Sequence, residues 1–172
     1  GMWDEVIAAN QQAISVGRNL AAQRAHHSGE CGHYRTWLMY ADLQERRDAD
    51  AQAALAACRV TAAVTLPIQQ PVNYDPDHSA IGSYVYMRLL NAVETGHQES
   101  AERLAWSGPG AAVLDFFDAY GDAIAALRAD NLSALQAAVA KLGERRPAVL
   151  IELEAEGDQA RADRESVNVI VD

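Results

Sequence analysis

The fold is decided by two stretches that repeat one pattern, GHQESAERLA at residues 96–105 and DNLSALQAAV at residues 130–139. Each begins at a turn-forming residue, Gly96 or Asp130, and the two corners are 34 residues apart. In both stretches a small or apolar residue follows five positions after the corner, and another follows four positions later. A period of this length is typical of helix pairs that bury their apolar faces only against neighbouring pairs. The sequence therefore predicts an all-α fold of stacked antiparallel helix hairpins.

A third copy of the pattern starts at Arg46, where the packing positions are again small or apolar. Arg46 precedes Gly96 by 50 residues, which is one period plus an insertion of 16. The stretch 67–78 contains three prolines and has no helical periodicity, so it can hold most of this insertion. The sequence thus predicts a single helical-repeat domain over residues 1–172 with a loop insertion at about 66–79.

Helical spacing of apolar residues predicts the remaining helices. Ser79 is suited to cap the start of one helix, and Gly96 is suited to end it in the left-handed conformation. The predicted helices are residues 3–27, 34–44, 49–63, 79–95, 98–106, 111–129, 132–142 and 147–156. Residues 158–172 fit a helix or a strand, and we favour a helix.

Composition narrows the classes of partner. The formal net charge of −10 disfavours nucleic acid, because phosphates need a basic surface. No apolar run approaches the roughly 18 residues of a membrane span, and the first residues lack the pattern of a signal peptide. Cys31 and Cys58 are too few for a disulfide framework, and Cys58 lies within a helical pattern as a small buried residue. We therefore expect a cytoplasmic protein with no nucleic-acid or membrane partner.

The first part of the chain, residues 1–58, resembles bacterial tetratricopeptide-repeat (TPR) proteins that are largely uncharacterised. The matching stretches are GMWDEVIAAN at 1–10, HYRTWLMYADLQ at 33–44 and RDADA at 47–51. The resemblance implies a right-handed TPR-like α-α superhelix and an interaction role without catalysis. In this register Gly1 falls on a corner glycine and Trp3 begins the second helix of a repeat. The chain would then be a C-terminal fragment of a longer protein.

The repeats depart from the family pattern at two kinds of position. The corner glycine is replaced by Arg46 and Asp130, and the tyrosine usual in the first helix is replaced by Asp42, Ala92 and Ala126. The lysine, asparagine and arginine that clamp a peptide's terminal carboxylate in other TPR domains are not found at the required positions. The resemblance therefore implies a scaffold without identifying its partner.

Aromatic and apolar residues on the first helices of the pairs are the predicted binding residues. In a TPR superhelix these helices line the concave face, and Tyr and Trp give large contact areas at low entropic cost. The predicted lining is Tyr40, Tyr86, Leu90, Phe117, Tyr120 and Arg128. Trp37 fits either this surface or the core. The function predicted is a non-catalytic protein-binding or peptide-binding scaffold without metal or cofactor, and its acidity favours a basic or neutral partner.

Two other hypotheses stay open from the sequence. His26, His27, Cys31 and His33 offer metal ligands within eight residues, although their spacing matches no established zinc pattern. The alternative function is therefore a metal-dependent hydrolase of helical-bundle type that uses this cluster. Its further ligands would be His78 or His97. A third hypothesis makes the chain a structural segment of a larger protein, which would form homodimers through exposed repeat ends.

Overall fold

The architecture is a series of six α-helices, seen in a computed structural model that describes residues 1–24, 31–68, 73–98, 103–155 and 167, without the side chains of 21–24. The helices are α1 (Met2–Arg24), α2 (His33–Gln44), α3 (Asp48–Thr65), α4 (Ala80–Thr95), α5 (Ala111–Arg128) and α6 (Leu132–Ala155). The described part contains no strand, so the prediction of an all-α fold is confirmed. None of its helices is both long and apolar enough to cross a membrane.

The predicted helix over residues 98–106 is wrong for the residues that the structure describes. Residues 103–107 have no regular secondary structure, and 99–102 lie outside the described residues. Side chains hold the ends of this segment against α5. Gln98 Nε2 donates to the backbone carbonyl of Asp118 at 2.8 Å, and Arg103 forms ion pairs with Asp118 and Asp122. Tertiary contacts here override a local pattern that favours helix.

The two helices predicted over 132–142 and 147–156 are one continuous helix, α6, with Pro147 inside it. Proline removes one backbone hydrogen bond from a helix interior, and this cost is opposed by packing on both sides of it. Leu142, Val149 and Leu153 are all buried in the core cluster shared with α5. The predicted segment 158–172 lies outside the described residues except for Val167, which is buried in the same cluster.

The three corners that define the repeat share one backbone conformation. Arg46, Gly96 and Asp130 have φ angles of 59°, 74° and 52°, in the left-handed region. The same pattern of hydrogen bonds ends the helix before Arg46 and the helix before Asp130. The amide of Arg47 donates to the carbonyl of Asp42 at 2.8 Å, and the amide of Asn131 donates to the carbonyl of Ala126 at 2.9 Å. This is the Schellman geometry, which usually selects glycine. Two non-glycine residues therefore hold a corner conformation that costs backbone energy.

Ser79 caps α4 as predicted, because its hydroxyl accepts hydrogen bonds from the amides of Ile81 and Gly82. Gly82 also allows the preceding loop to lie directly on α4. A Cβ at this position would overlap the backbone carbonyl of Tyr74. The described parts of the predicted loop, 66–68 and 73–79, are outside the helices, as expected. The loop is thereby fixed where it meets α2 and α4.

Contacts between side chains fix the relative directions of the first four helices. Trp3 at the start of α1 packs on Tyr40 near the end of α2, so these helices are antiparallel. Gln52 at the start of α3 donates to Asn91 near the end of α4 at 2.8 Å, so these are antiparallel as well. The starts of α2 and α4 lie together, and α2 packs against α4. Hence α2 and α4 run parallel.

Packing follows chain order, because each helix packs against the next one, and α2 also packs on α4. The largest core cluster is shared by α2, α3 and α4, a second is shared by α5 and α6, and a third joins α1 to α2. The large residues of the first cluster include Met39, Leu55, Ile81, Tyr84 and Met87. This arrangement leaves one face of α2 exposed and a second face open to a cleft between α1 and α3.

The two cysteines do more than the sequence suggested. Cys58 is buried as predicted, but it is paired with Cys31 in a disulfide, with the Cα atoms 4.5 Å apart. Disulfides persist mainly in oxidising compartments. The cysteines therefore do not support the cytoplasmic location, which stays a prediction.

Candidate binding surface

An aromatic row runs along the exposed face of α2 and continues onto α1. We define the aromatic row as Trp3, His33, Tyr34, Trp37 and Tyr40. Consecutive rings meet edge to face, with centroid distances of 5.8 Å for Trp3–Tyr40, 6.1 Å for Trp37–Tyr40, 6.1 Å for His33–Trp37 and 5.5 Å for His33–Tyr34. Edge-to-face pairs of this kind are a favourable arrangement of aromatic rings. The contacts thus connect all five rings into one surface.

The row arises from the spacing of its residues on α2. His33, Trp37 and Tyr40 stand at intervals of four and three, which places them on one side of the helix. Trp37 is 42% exposed and Tyr34 is 55% exposed. Both values are high for aromatic side chains, which are normally well buried. The row therefore exposes Tyr34 and Trp37 to solvent, while the partly buried Trp3 and Tyr40 connect it to both helices.

Two histidine–carboxylate pairs lie near the start of α2, and one of them includes His33 of the row. His33 Nδ1 lies 2.7 Å from Asp77 Oδ1, and His78 Nδ1 lies 2.7 Å from Asp75 Oδ2. Hydrogen bonding to Asp75 and its negative charge raise the pKa of His78. Burial opposes ionisation of Asp75, but hydrogen bonds from His78 and from the backbone outweigh it, so the pKa of Asp75 is lowered. Each of these two carboxylates is thus paired with a histidine, and the pairing of Asp75 with His78 stabilises the charged form of both groups.

The predicted binding residues do not all reach one surface. Tyr40 belongs to the aromatic row, and Tyr86 is 38% exposed on α4. Leu90, Phe117 and Tyr120 are partly buried and pack against the core clusters.

Arg128 has a structural contact that the sequence did not suggest. Its Nη1 donates to the carbonyl of Val93 at 2.7 Å, and its side chain lies against Gly96. A cation at this position is favourable because carbonyl groups at a helix C-terminus carry partial negative charge. Arg128 thus closes the end of α4.

A cleft lies on the opposite side of α2, between α1 and α3. Its volume is about 340 Å³, which is within the range of small-molecule sites. It is lined by Gln11, Arg18, Arg35, Leu38, Asp42, Arg47, Asp50, Ala53, Ala54 and Ala57. The alanines leave space beside α3, and five charged side chains surround it. The cleft thus combines an apolar wall with charges of both signs.

Asp42 is the most buried charged residue of this cleft, with 5% of its surface exposed. Burial raises the pKa of its carboxyl, and the negative charge of Asp50 raises it further, against the effect of Arg47 and Arg35. None of the described residues donates a hydrogen bond to this carboxylate. The sequence had identified Asp42 only as a departure from the tyrosine of the repeat pattern.

The histidine and cysteine cluster is only partly described, because His26 and His27 lie outside the described residues. Cys31 is joined to Cys58, and His33 is paired with Asp77. Among the residues that the structure describes, no three His, Cys, Asp or Glu side chains converge as metal ligands would. The described geometry therefore offers no observation that favours the hydrolase hypothesis.

The sequence missed most members of the aromatic row. Trp3 was assigned only to the start of a helix, Tyr34 was not selected, and Trp37 was left between surface and core. The spacing of His33, Trp37 and Tyr40 was the available signal, since it marks one face of α2. Comparison with protein-family profiles, with curated proteins and with solved structures gives no match to this chain.

Proposed function

We propose that this chain is a non-catalytic scaffold that binds a protein or peptide segment through the aromatic row. The observation that carries the proposal is the exposure of a connected set of aromatic rings on a rigid helix. Aromatic side chains contribute strongly to protein interfaces because they bury large areas with few rotatable bonds. Isolated exposed apolar residues are normal, whereas a contiguous aromatic surface is typical of a binding site.

The proposed architecture is a right-handed TPR-like α-α superhelix. The shared left-handed conformation at Arg46, Gly96 and Asp130 supports this assignment, because it occurs at the corners predicted from the 34-residue period. The parallel course of α2 and α4, with α3 antiparallel to α4, also agrees with stacked hairpins. In such a stack α2 would be the first helix of a repeat, and the aromatic row would lie on the concave face of the superhelix.

The proposed ligand is a basic or neutral segment. The chain carries a formal net charge of −10, and Asp77 contacts His33 of the row. A lysine or arginine above an exposed Trp or Tyr ring is attracted by the ring's electrons, and a nearby carboxylate adds to the attraction. An acidic segment would be repelled by the same groups.

The test is a binding screen with matched variants. Peptides of equal length that differ in charge and aromatic content are titrated into the chain, and binding is followed by NMR chemical shifts. Trp37→Ala should weaken binding of the best peptide about thirtyfold or more, the loss expected of an interface hot spot. Leu127→Ala is the control, because Leu127 on α5 is 58% exposed and lies outside both the row and the exposed face of α6. Its affinity should stay within a factor of two or so of the unmodified chain.

Equal losses in the two variants, or shifts confined to residues away from α1 and α2, would contradict the assignment of the aromatic row. A best peptide that is acidic would contradict the charge argument while leaving the surface itself in place. The two parts of the proposal are therefore separable in one experiment.

Self-association is a further part of the proposal, and it concerns the end of the array. Leu132, Val139 and Ile151 on α6 are each at least half exposed. In a repeat array the end face is apolar because a neighbouring repeat normally covers it. Sedimentation over a range of concentrations would detect the homodimer expected from this face. A strictly monomeric chain at the highest concentration would refute it.

A further inference from the structure

The cleft between α1 and α3 has a polar axis. Asp42 and Asp50 lie across from each other, because α2 and α3 are antiparallel and joined by a short corner. Arg35 on α2 and Ala57 on α3 are each seven residues further along, which is about 10 Å on a helix. Arg18 lies toward the same end, since α1 runs antiparallel to α2. Carboxylates therefore stand at one end of the cleft and guanidinium groups at the other.

The carboxylate end contains one cation with a contact of its own. Arg47 Nη2 donates to Asp4 Oδ1 at 3.1 Å, at the rim of the cleft. After burial, the negative charge of Asp50 is the strongest single influence on the pKa of Asp42, and Arg47 and Arg35 act in the opposite direction. A cationic nitrogen placed between Asp42 and Asp50 would be attracted to both carboxylates.

Asp42 is unusual for a residue of the protein interior. Buried polar groups normally have hydrogen-bond partners, and a buried carboxylate without one costs free energy. Asp42 has 5% of its surface exposed, and none of the described residues donates to its carboxylate, whose oxygens are not fully enclosed and so reach the cleft. A purely structural role would be served better by the tyrosine or alanine found at this position of the repeat pattern. A ligand that supplies the missing donor would explain why an acid stands there.

We propose that this cleft binds a small amphoteric molecule, with a primary ammonium group between Asp42 and Asp50 and a carboxylate toward Arg35 and Arg18. The alkyl chain between these charges would lie along Leu38 and the alanine wall of α3. The class that fits is a basic or ω-amino acid, whose two charges are separated by a short aliphatic chain. This site is on the side of α2 opposite the aromatic row, so it does not depend on the proposed function.

The test uses four probes with the full chain, measured by isothermal titration calorimetry and NMR. L-lysine carries both end charges, norleucine lacks the side-chain ammonium, and cadaverine lacks the carboxylate. L-lysine should bind at least tenfold more tightly than either of them, because each of the others forgoes a charged contact. Nα-acetyl-L-lysine distinguishes two possible ligands, a free amino acid and the C-terminal lysine of a peptide. Equal binding of it would identify a C-terminal lysine of a peptide, and loss of binding would identify the free amino acid.

Asp42→Asn should weaken L-lysine binding at least tenfold and also raise the melting temperature of the unliganded chain, since it removes an uncompensated buried charge. A merely structural Asp42 would give the opposite change in melting temperature and no change in binding. Asp50→Asn is the second variant, because Asp50 is exposed and its replacement is expected to leave folding intact. Asp48→Asn is the matched control, since Asp48 lies on the same helix but does not line the cleft.

The proposal is overturned if the unmodified chain binds none of the four probes at about 10 mM. It is also overturned if L-lysine and norleucine bind equally, or if Asp42→Asn and Asp50→Asn both bind L-lysine as the unmodified chain does. The NMR shifts must include α2 and α3 residues of the cleft. Shifts at the aromatic row instead would assign the binding to the other face of α2.

Discussion

Replacing Asp118 by leucine should destabilise the chain by about 3–5 kcal/mol, because it leaves a buried guanidinium group without its counter-ion. Arg88 and Asp118 are each only 2% exposed, and Arg88 Nε donates to Asp118 Oδ1 at 2.9 Å. Burial alone would lower the pKa of Arg88, but the charge and hydrogen bond of Asp118, together with the interaction with Tyr84, outweigh it, and the pKa is raised. The free energy at stake is a large share of the total stability of a domain of this size.

Because of Arg103, replacing Asp118 and replacing Arg88 should cost different amounts of stability. Arg103 lies 3.2 Å from Asp118 and also pairs with Asp122. Arg88→Met therefore leaves Asp118 with one cationic neighbour, and its cost should be smaller than that of Asp118→Leu. The double variant Arg88→Met/Asp118→Leu should recover part of the loss, because it buries no charge of this pair.

Urea denaturation followed by circular dichroism measures these differences through the midpoint, provided that the slope stays constant. Asp115→Leu is the control, since Asp115 is on the same helix and pairs with Arg145 at 3.4 Å in a more exposed position. Its cost should stay below about 1 kcal/mol. The reasoning fails if Asp118→Leu costs no more than Asp115→Leu, or if the double variant loses the full sum of the single losses.

Three further predictions concern backbone strain and pH. Arg46→Gly should raise the free energy of unfolding by about 1 kcal/mol, because glycine adopts the left-handed corner without steric cost, and an unchanged urea midpoint would count against this. Gly82→Ala should lower it by about 1–3 kcal/mol through overlap with the loop backbone, whereas Gly143→Ala in the open interior of α6 should raise it slightly; equal effects would refute the contact. NMR titration should give His78 a pKa above its ordinary 6.5, and Asp75→Asn should lower it, because Asp75 is the main cause of the rise. The raised pKa of His78 gives a stabilising contribution that is fully present below pH 6.5 and is lost as pH rises through the raised pKa. The lowered pKa of Asp75 gives one that is present above pH 3.8 and is lost as pH falls through the lowered pKa. The pair therefore contributes most between pH 3.8 and pH 6.5.

The helical periodicity predicted most of the fold because it depends on local spacing. The corner residues Arg46, Gly96 and Asp130 were found from a period alone; the left-handed conformation was expected only at Gly96, and all three adopt it. The segment 98–106 was assigned wrongly because its conformation depends on contacts with Asp118 and Asp122, which are distant in sequence. Such contacts leave no periodic signal.

The candidate site was less predictable for a related reason. Spacing on α2 shows which residues share a face, but it does not show whether another helix covers that face. Trp37 could therefore be placed in the core or on the surface until the position of α4 was known. Pairing of Cys31 with Cys58 was likewise invisible, because two cysteines separated by 27 positions give no indication of proximity.

The position of α2 has a consequence for how the chain tolerates change. One side of α2 carries most of the aromatic row, and its other sides contact α1, the polar cleft and the main core. Each side therefore has a role that restricts which residues it accepts. In α6 the buried residues form one stripe, Ala138, Leu142, Val149 and Leu153. A saturation scan should therefore show alternating tolerant and intolerant positions along α6. Along α2 nearly every substitution should be selected against, whether through loss of stability or through loss of binding.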